Sequence, residues 1–184
     1  FKDNSFYNKL ENDKEFLSEI SHVLQTKQIE VFYQPLYNIK NNTIVGCEAL
    51  ARWRHPIKGL LNPDKFIPLF EQFGLITELD LHLFEENCKN IRRWIDNNDV
   101  FVLICCNFSR LHFFNPNFPS MLKGITEKYS VSTSNFSIEI TENILIENTN
   151  TIIQQLAELR SYGFSVSMDD FGSGYSSFGM LQNL

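Results

Sequence analysis

The chain has 184 residues, 43% hydrophobic and 21% charged, with a net charge of −6 and a pI near 5.2. This composition fits one ordinary globular unit with a sizeable core, to which 17 phenylalanines contribute. The acidic balance excludes broad electrostatic binding to duplex nucleic acid, though a bound metal can invert the local charge for a small anionic ligand.

No apolar run approaches the roughly 18 residues of a membrane span, and no signal peptide is visible. Cys47, Cys88, Cys105 and Cys106 form no CxxC pair. They read as buried free thiols in a reducing, cytoplasmic compartment. The chain starts at Phe1 rather than Met, so a longer parent polypeptide, which could itself be membrane-anchored, is expected.

Phe16, Ile20, Val23 and Leu24 recur at helical spacing and predict a first helix over 12–26. Residues 31–37 read as a strand, 40–43 as a turn, and 44–53 as a second strand hairpin-linked to the first. A loop over 56–63 leads to a short helix over 64–73 that Gly74 can terminate. A longer helix is expected over 78–96, a buried strand over 100–106 and a helix over 118–129. Residues 136–141 read as a strand, Ile152 to Leu159 as a helix capped by Gly163, and 164–168 as the last strand. A further helix is expected to begin near Tyr175. After the opening hairpin, strands and helices alternate, the signature of a parallel α/β sheet with crossover helices.

Each predicted strand carries an unexpected polar residue towards its C-terminal end. They are Glu48 and Arg52, then Asn107, then Glu139 and Thr141, then Asp169 and Asp170. Taken singly, each has an ordinary explanation. A Glu near a strand end is commonly solvated, Asn107 before Ser109 suits an N-cap, and Asp-Asp-x-Gly suits a strand-to-helix turn. Their coincidence at equivalent strand ends argues for one rim, where barrels and open α/β sheets place their chemistry. Adjacent carboxylates such as Asp169 and Asp170 stay ionised together only beside positive charge. An oxygen-rich set of this kind prefers Mg²⁺ or Mn²⁺ to Zn²⁺. A carboxylate bridging two ions ~4 Å apart suits phosphoryl transfer. Arg52 could hold a phosphate bidentately. His55 and His112 have no partner at metal-ligand spacing and read as structural or surface residues.

These motifs resemble one family. Glu48-Ala49-Leu50, followed by Arg52, Trp53, His55 and Pro56, is similar to the signature of EAL domains, bacterial phosphodiesterases that cleave cyclic di-GMP. Gln34-Pro35, Phe66-Ile67-Pro68-Leu69-Phe70-Glu71, Asn107-Phe108-Ser109, Ile138-Glu139-Ile140-Thr141-Glu142 and Asp169-Asp170-Phe171-Gly172 follow the family order. The resemblance assigns residues 12–184 to the domain and 1–11 to a linker or N-terminal extension.

It implies an α/β fold, a modified TIM (β/α)₈ barrel whose first strand is antiparallel to the rest. It also implies two Mg²⁺ or Mn²⁺ ions. Glu48, Asn107, Glu139, Asp169 and Asp170 would be the metal ligands, with Asp169 bridging and Asp170 on the second ion. Glu48, Asp169 and Asp170 would thereby be catalytic. Gln34, Leu50 and Arg52 would line the substrate site. Glu142 would steady the loop from Phe171 to Ser177, which family members use for metal binding and dimer contact.

The implied reaction opens cyclic di-GMP to linear 5'-pGpG by in-line attack of a metal-held water. A homodimer and a preceding diguanylate-cyclase-like or sensory domain are the implied partners. The family pattern continues with a lysine, a glutamate and a glutamine on strands that would follow Leu184. The 184-residue piece alone is therefore expected to be inactive. Ser173 stands where Thr or Ala is common. The alternative is a catalytically inactive cyclic di-GMP receptor that signals through a partner domain.

Overall fold

The structure is a computed structural model that describes residue 20 and residues 22–99, 103–141 and 149–169. Strand β1 (Ile29–Asn38) turns back antiparallel onto β2 (Thr43–His55), placing Glu30 opposite Arg52, Phe32 opposite Leu50 and Gln34 opposite Glu48. Asparagines make this turn. Asn42 takes a left-handed φ of 53°, and Asn41 Oδ1 accepts from the Thr43 hydroxyl at 2.8 Å. Asn tolerates that conformation better than most residues because its short amide bonds locally.

β3 (Gly59–Leu61) folds back antiparallel onto the end of β2. Helices α1 (Pro63–Gln72) and α2 (Ile76–Asp96) lead to β4 (Leu103–Asn107), which pairs parallel with β2. A 3₁₀ turn (Arg110–Phe114), α3 (Phe118–Lys128) and a second 3₁₀ turn (Thr133–Asn135) precede β5 (Phe136–Thr141). Helix α4 (Thr149–Ser161) then leads to β6 (Ser165–Asp169). The sheet order is β1-β2-β4-β5-β6, with β3 attached to β2, and β2, β4, β5 and β6 run parallel.

Two helix ends carry the same device. Gly74 (φ 71°) and Gly163 (φ 95°) follow α1 and α4. The Leu75 N–H donates to Phe70 O at 2.8 Å, and the Phe164 N–H to Leu159 O at 3.2 Å. This six-to-one bond returns the chain against its own helix and satisfies carbonyls the helix leaves unpaired. Both glycines were predicted as terminators.

The helices cover one face of the sheet. Cys47, Ile104, Cys106, Phe136, Ile138 and Ile140 are buried beneath α2, α3 and α4 with Phe84, Cys88, Ile91, Phe118 and Leu122. Phe84 joins this core through ring contacts to Phe136 (4.7 Å), Phe108 (5.8 Å) and Phe164 (6.2 Å). A second core gathers Trp53, Ala51, Phe66, Phe70, Ile76 and Leu79 with Ile20 and Val23. Strand side chains alternate, so the opposite face receives the complementary set. That set is Glu48, Leu50 and Arg52; Cys105 and Asn107; Ser137, Glu139 and Thr141; and Ser165 and Ser167.

Several predicted bounds change. Ile20, His22 and Val23 are helical but a turn begins at Leu24, two residues before the expected end. The expected loop over 56–63 contains β3, whose three residues are too short to show alternation. Of the strand predicted over 100–106, residues 100–102 lie outside the described residues, and β4 runs one residue past the expected end, to Asn107. The N-cap after β4 is Ser109 rather than Asn107: its side chain accepts from the Leu111 N–H, and the helix it starts is a short 3₁₀ segment. The expected start near Tyr175 lies outside the described residues.

Candidate functional site

Glu48, Arg52, Asn107, Glu139 and Thr141, singled out in the sequence, share the sheet face opposite the helices. Asn107 Nδ2 donates to Glu48 Oε1 at 2.7 Å, joining β4 to β2. Glu139 stands beside Asn107 in the β4–β5 register, and Asp169 stands beside Thr141 in the β5–β6 register. The four positions form an oblique line. Glu48 is level with Cys105, two residues before Asn107; Asn107 is level with Glu139; Glu139 is level with Ser167, two residues before Asp169. In a closed eight-stranded barrel of shear 8 the strands step by about one residue each, so an oblique line of this kind stays at one height on the rim.

Glu48 and Glu139 are half-buried and Asn107 is exposed at the end of its strand. Glu139 Oε1 accepts from Ser167 Oγ at 3.2 Å. Below these oxygens lies Cys105. Burial, followed by the Glu139 charge and the hydrogen bond the thiol gives that carboxylate, pushes the thiol up to about 12. Cys105 and Ser167 escaped the sequence reading because an apolar run and a Ser-Val-Ser repeat carry no chemical flag. Counting inward positions two before Asn107 and Asp169 was the signal that could have found them.

Arg52 shares the face of Glu48 and Leu50. Its guanidinium donates to Ala51 O at 2.8 Å and lies 5.8 Å from the Phe32 ring centroid. Gln34, exposed on β1, pairs across from Glu48. Beside Asn107 and Thr141 a recess of about 310 Å³ opens, walled by Ala49, Leu50, Leu83 and Phe84, with Glu71 and Asp80 among its polar groups.

The turn after Asn107 is anchored from behind. Asp80 on α2 is 7% exposed. Its Oδ2 accepts from the Ser109 N–H at 2.9 Å and lies 3.1 Å from His112 Nε2. His112 stacks on Phe118 at 4.5 Å. His55 Nδ1 accepts from the Ile57 and Lys58 N–H groups and shapes the β2–β3 turn. Both histidines are structural, as their lack of partners in the sequence suggested.

All four cysteines are free and buried. Among the described residues no group of three His, Cys, Asp or Glu side chains is placed to hold a metal. Glu48 and Glu139 come from strands that flank β4, and the third residue between them is an amide. Asp170 and Glu142 lie outside the described residues. No helix among the described residues is long and apolar enough to cross a membrane.

The sequence profile of the EAL domain matches residues 17–184. The chain belongs to the EAL domain family. It is 30% identical over its whole length to the bifunctional diguanylate cyclase/cyclic di-GMP phosphodiesterase MucR of Pseudomonas aeruginosa, of which it covers 27%. It is 32% identical over 166 residues, 90% of this chain, to the cyclic di-GMP phosphodiesterase NbdA of the same organism, of which it covers 21%. A solved P. aeruginosa MucR phosphodiesterase in complex with cyclic di-GMP superimposes with a TM-score of 0.85 at 32% identity, over 92% of this chain and 69% of that one. The chain thus spans about a quarter of the length of these curated relatives. The antiparallel β1–β2 pair followed by parallel strands is the EAL arrangement of the TIM barrel that the resemblance implied.

Proposed function

We propose that this EAL domain, within its intact protein, hydrolyses cyclic di-GMP to linear 5'-pGpG with two Mg²⁺ or Mn²⁺ ions. The observation that carries the reading is the meeting of Glu48, Asn107 and Glu139 on three neighbouring strands, in line with Asp169. The donor set fits the ions. The Asn107 amide spends its N–H on Glu48 and leaves its carbonyl oxygen for a cation, so these residues offer oxygen atoms only. Glu48, Asn107, Glu139, Asp169 and Asp170 would hold the metals. The ions, when bound, neutralise phosphodiester charge and make a bound water acidic.

The remaining residues bind and orient. Arg52 projects a permanent cation beside Glu48 and Leu50, suited to a bridging phosphate. Gln34 faces the same site from β1. Glu142 would steady the Phe171–Ser177 loop, and that loop would serve a homodimer. Residues 1–11 would link the domain to a preceding cyclase-like or sensory domain, as MucR's two activities exemplify. The proposed substrate and the four free, buried thiols support action in the cytoplasm.

The test is cleavage by the intact protein in Mn²⁺, with cyclic di-GMP and 5'-pGpG separated by liquid chromatography. Glu48→Gln and Glu139→Gln should each lower kcat by at least about 100-fold, since a metal ligand loses its charge. Binding of cyclic di-GMP without turnover in the wild-type protein would overturn the enzyme reading in favour of a receptor.

A further inference from the structure

Resting on that metal-site reading, we propose that Ser167, backed by Ser137, is a positioning residue that fixes the Glu139 carboxylate for metal binding. In the β5–β6 ladder Ser167 stands opposite Glu139, and Ser137 opposite Ser165. Ser167 Oγ lies 3.2 Å from Glu139 Oε1 and 2.9 Å from Ser137 Oγ.

The direction of this chain follows from proton counting. A hydroxyl has one hydrogen, and a carboxylate only accepts. Ser167 gives its hydrogen to Glu139, so Ser137 must give its own to Ser167. The result is a one-way relay, Ser137 to Ser167 to Glu139, in which each bond polarises the next. Its root is fixed, because Ser137 is 4% exposed.

Three properties make the relay a positioning device rather than incidental polarity. Glu139 has a flexible side chain, and a tether to a neighbouring strand removes that freedom before an ion arrives. The tether is neutral, so it orients the carboxylate without neutralising it, as a lysine would. Glu48 is held in the same manner by the neutral Asn107 amide from the adjacent strand. Each half-buried carboxylate thus has an oxygen aimed by a neutral group on the neighbouring β-strand.

The test uses the full-length protein and Mn²⁺ alone, with free Mn²⁺ read by electron paramagnetic resonance. Ser167→Ala should weaken Mn²⁺ binding about tenfold, Ser137→Ala about threefold, and Ser167→Thr, which keeps the hydroxyl, by less than about twofold. Turnover in Ser167→Ala should recover towards wild type at saturating Mn²⁺, a split that loss of fold would not give. Thermal unfolding checks that each variant is native, and Ser137→Ala carries the test alone if Ser167→Ala does not fold. Wild-type Mn²⁺ affinity in both alanine variants overturns the proposal and leaves the metal site standing. Equal weakening in the Ala and Thr variants also overturns it, since packing rather than the hydroxyl would then matter. If wild type binds no Mn²⁺, or Glu139→Gln binds it as wild type does, the metal-site reading falls and this inference falls with it.

Discussion

Replacing Asp80 by Ala should be among the costliest changes in the chain, although Asp80 is not among the proposed metal- or substrate-binding residues. The side chain is buried, and its Oδ2 serves two groups, the Ser109 N–H at 2.9 Å and His112 Nε2 at 3.1 Å. Truncation leaves both donors without an acceptor in a region that water does not reach freely. At about 1–3 kcal/mol for each of the two orphaned donors, Asp80→Ala should cost about 2–6 kcal/mol. With a urea dependence of about 2–3 kcal/mol per molar, the unfolding midpoint should fall by roughly 1–3 M. Asn107 lies two residues before Ser109, so substrate turnover should fall beyond what the unfolded fraction explains.

A double variant separates this mechanism from general damage. His112→Phe keeps a ring on Phe118 but removes one of the two donors. The combined Asp80→Ala/His112→Phe variant should therefore be more stable than the sum of the single losses by about 1–2 kcal/mol. A loss below about 1 kcal/mol for Asp80→Ala, or strict additivity in the double variant, would refute the reasoning.

Phe84→Ala should cost about 3–5 kcal/mol in denaturant unfolding, because its ring contacts Phe108, Phe136 and Phe164 together. Gly163→Ala should cost at least about 1–2 kcal/mol, since φ is 95° and an added Cβ would sit 2.8 Å from Thr133 Oγ1; an unchanged melting temperature would contradict the capping account. The Lys128 ammonium, then the Tyr129 hydroxyl, hold the Glu85 carboxyl below its usual range. Its contribution is therefore present above the unfolded value of about 4.3 and is lost as pH falls through the folded value. Glu85→Gln should lower stability by under about 1 kcal/mol at pH 7, with the difference from wild type vanishing in acid. Burial pushes the Cys88 thiol up to about 12, so it should react with a disulfide reagent at pH 8 only at the rate at which the protein opens.

Much of this fold was legible because its signals are local. The Phe84, Cys88, Ile91 spacing revealed the face that α2 buries, and Gly74 and Gly163 marked helix ends that only a positive φ can make. The Glu48-Ala49-Leu50 and Glu139-Ile140-Thr141 stretches announced chemistry because charge inside an apolar strand is costly unless it has a use. What stayed hidden depends on contacts between distant segments. β3 exists because β2 offers it an edge. Asp80 looks like any helical carboxylate until α2 packs it under the turn after β4.

By itself the sequence determined the order of strands and helices apart from β3, the terminating glycines, the family and the polar residues worth watching, since each is carried by residue type and short-range spacing. Tertiary structure alone decided the register between strands. Glu48 and Asn107 are 59 residues apart, and nothing local makes the amide of one meet the carboxylate of the other at 2.7 Å. The parallel pairing of β2, β4, β5 and β6, stepped by the sheet's stagger, brings Glu48, Asn107 and Glu139 to one face in line with Asp169 and puts Ser167 beside Glu139. Side-chain alternation assigns each residue a face, but only hydrogen-bonded register assigns it a neighbour.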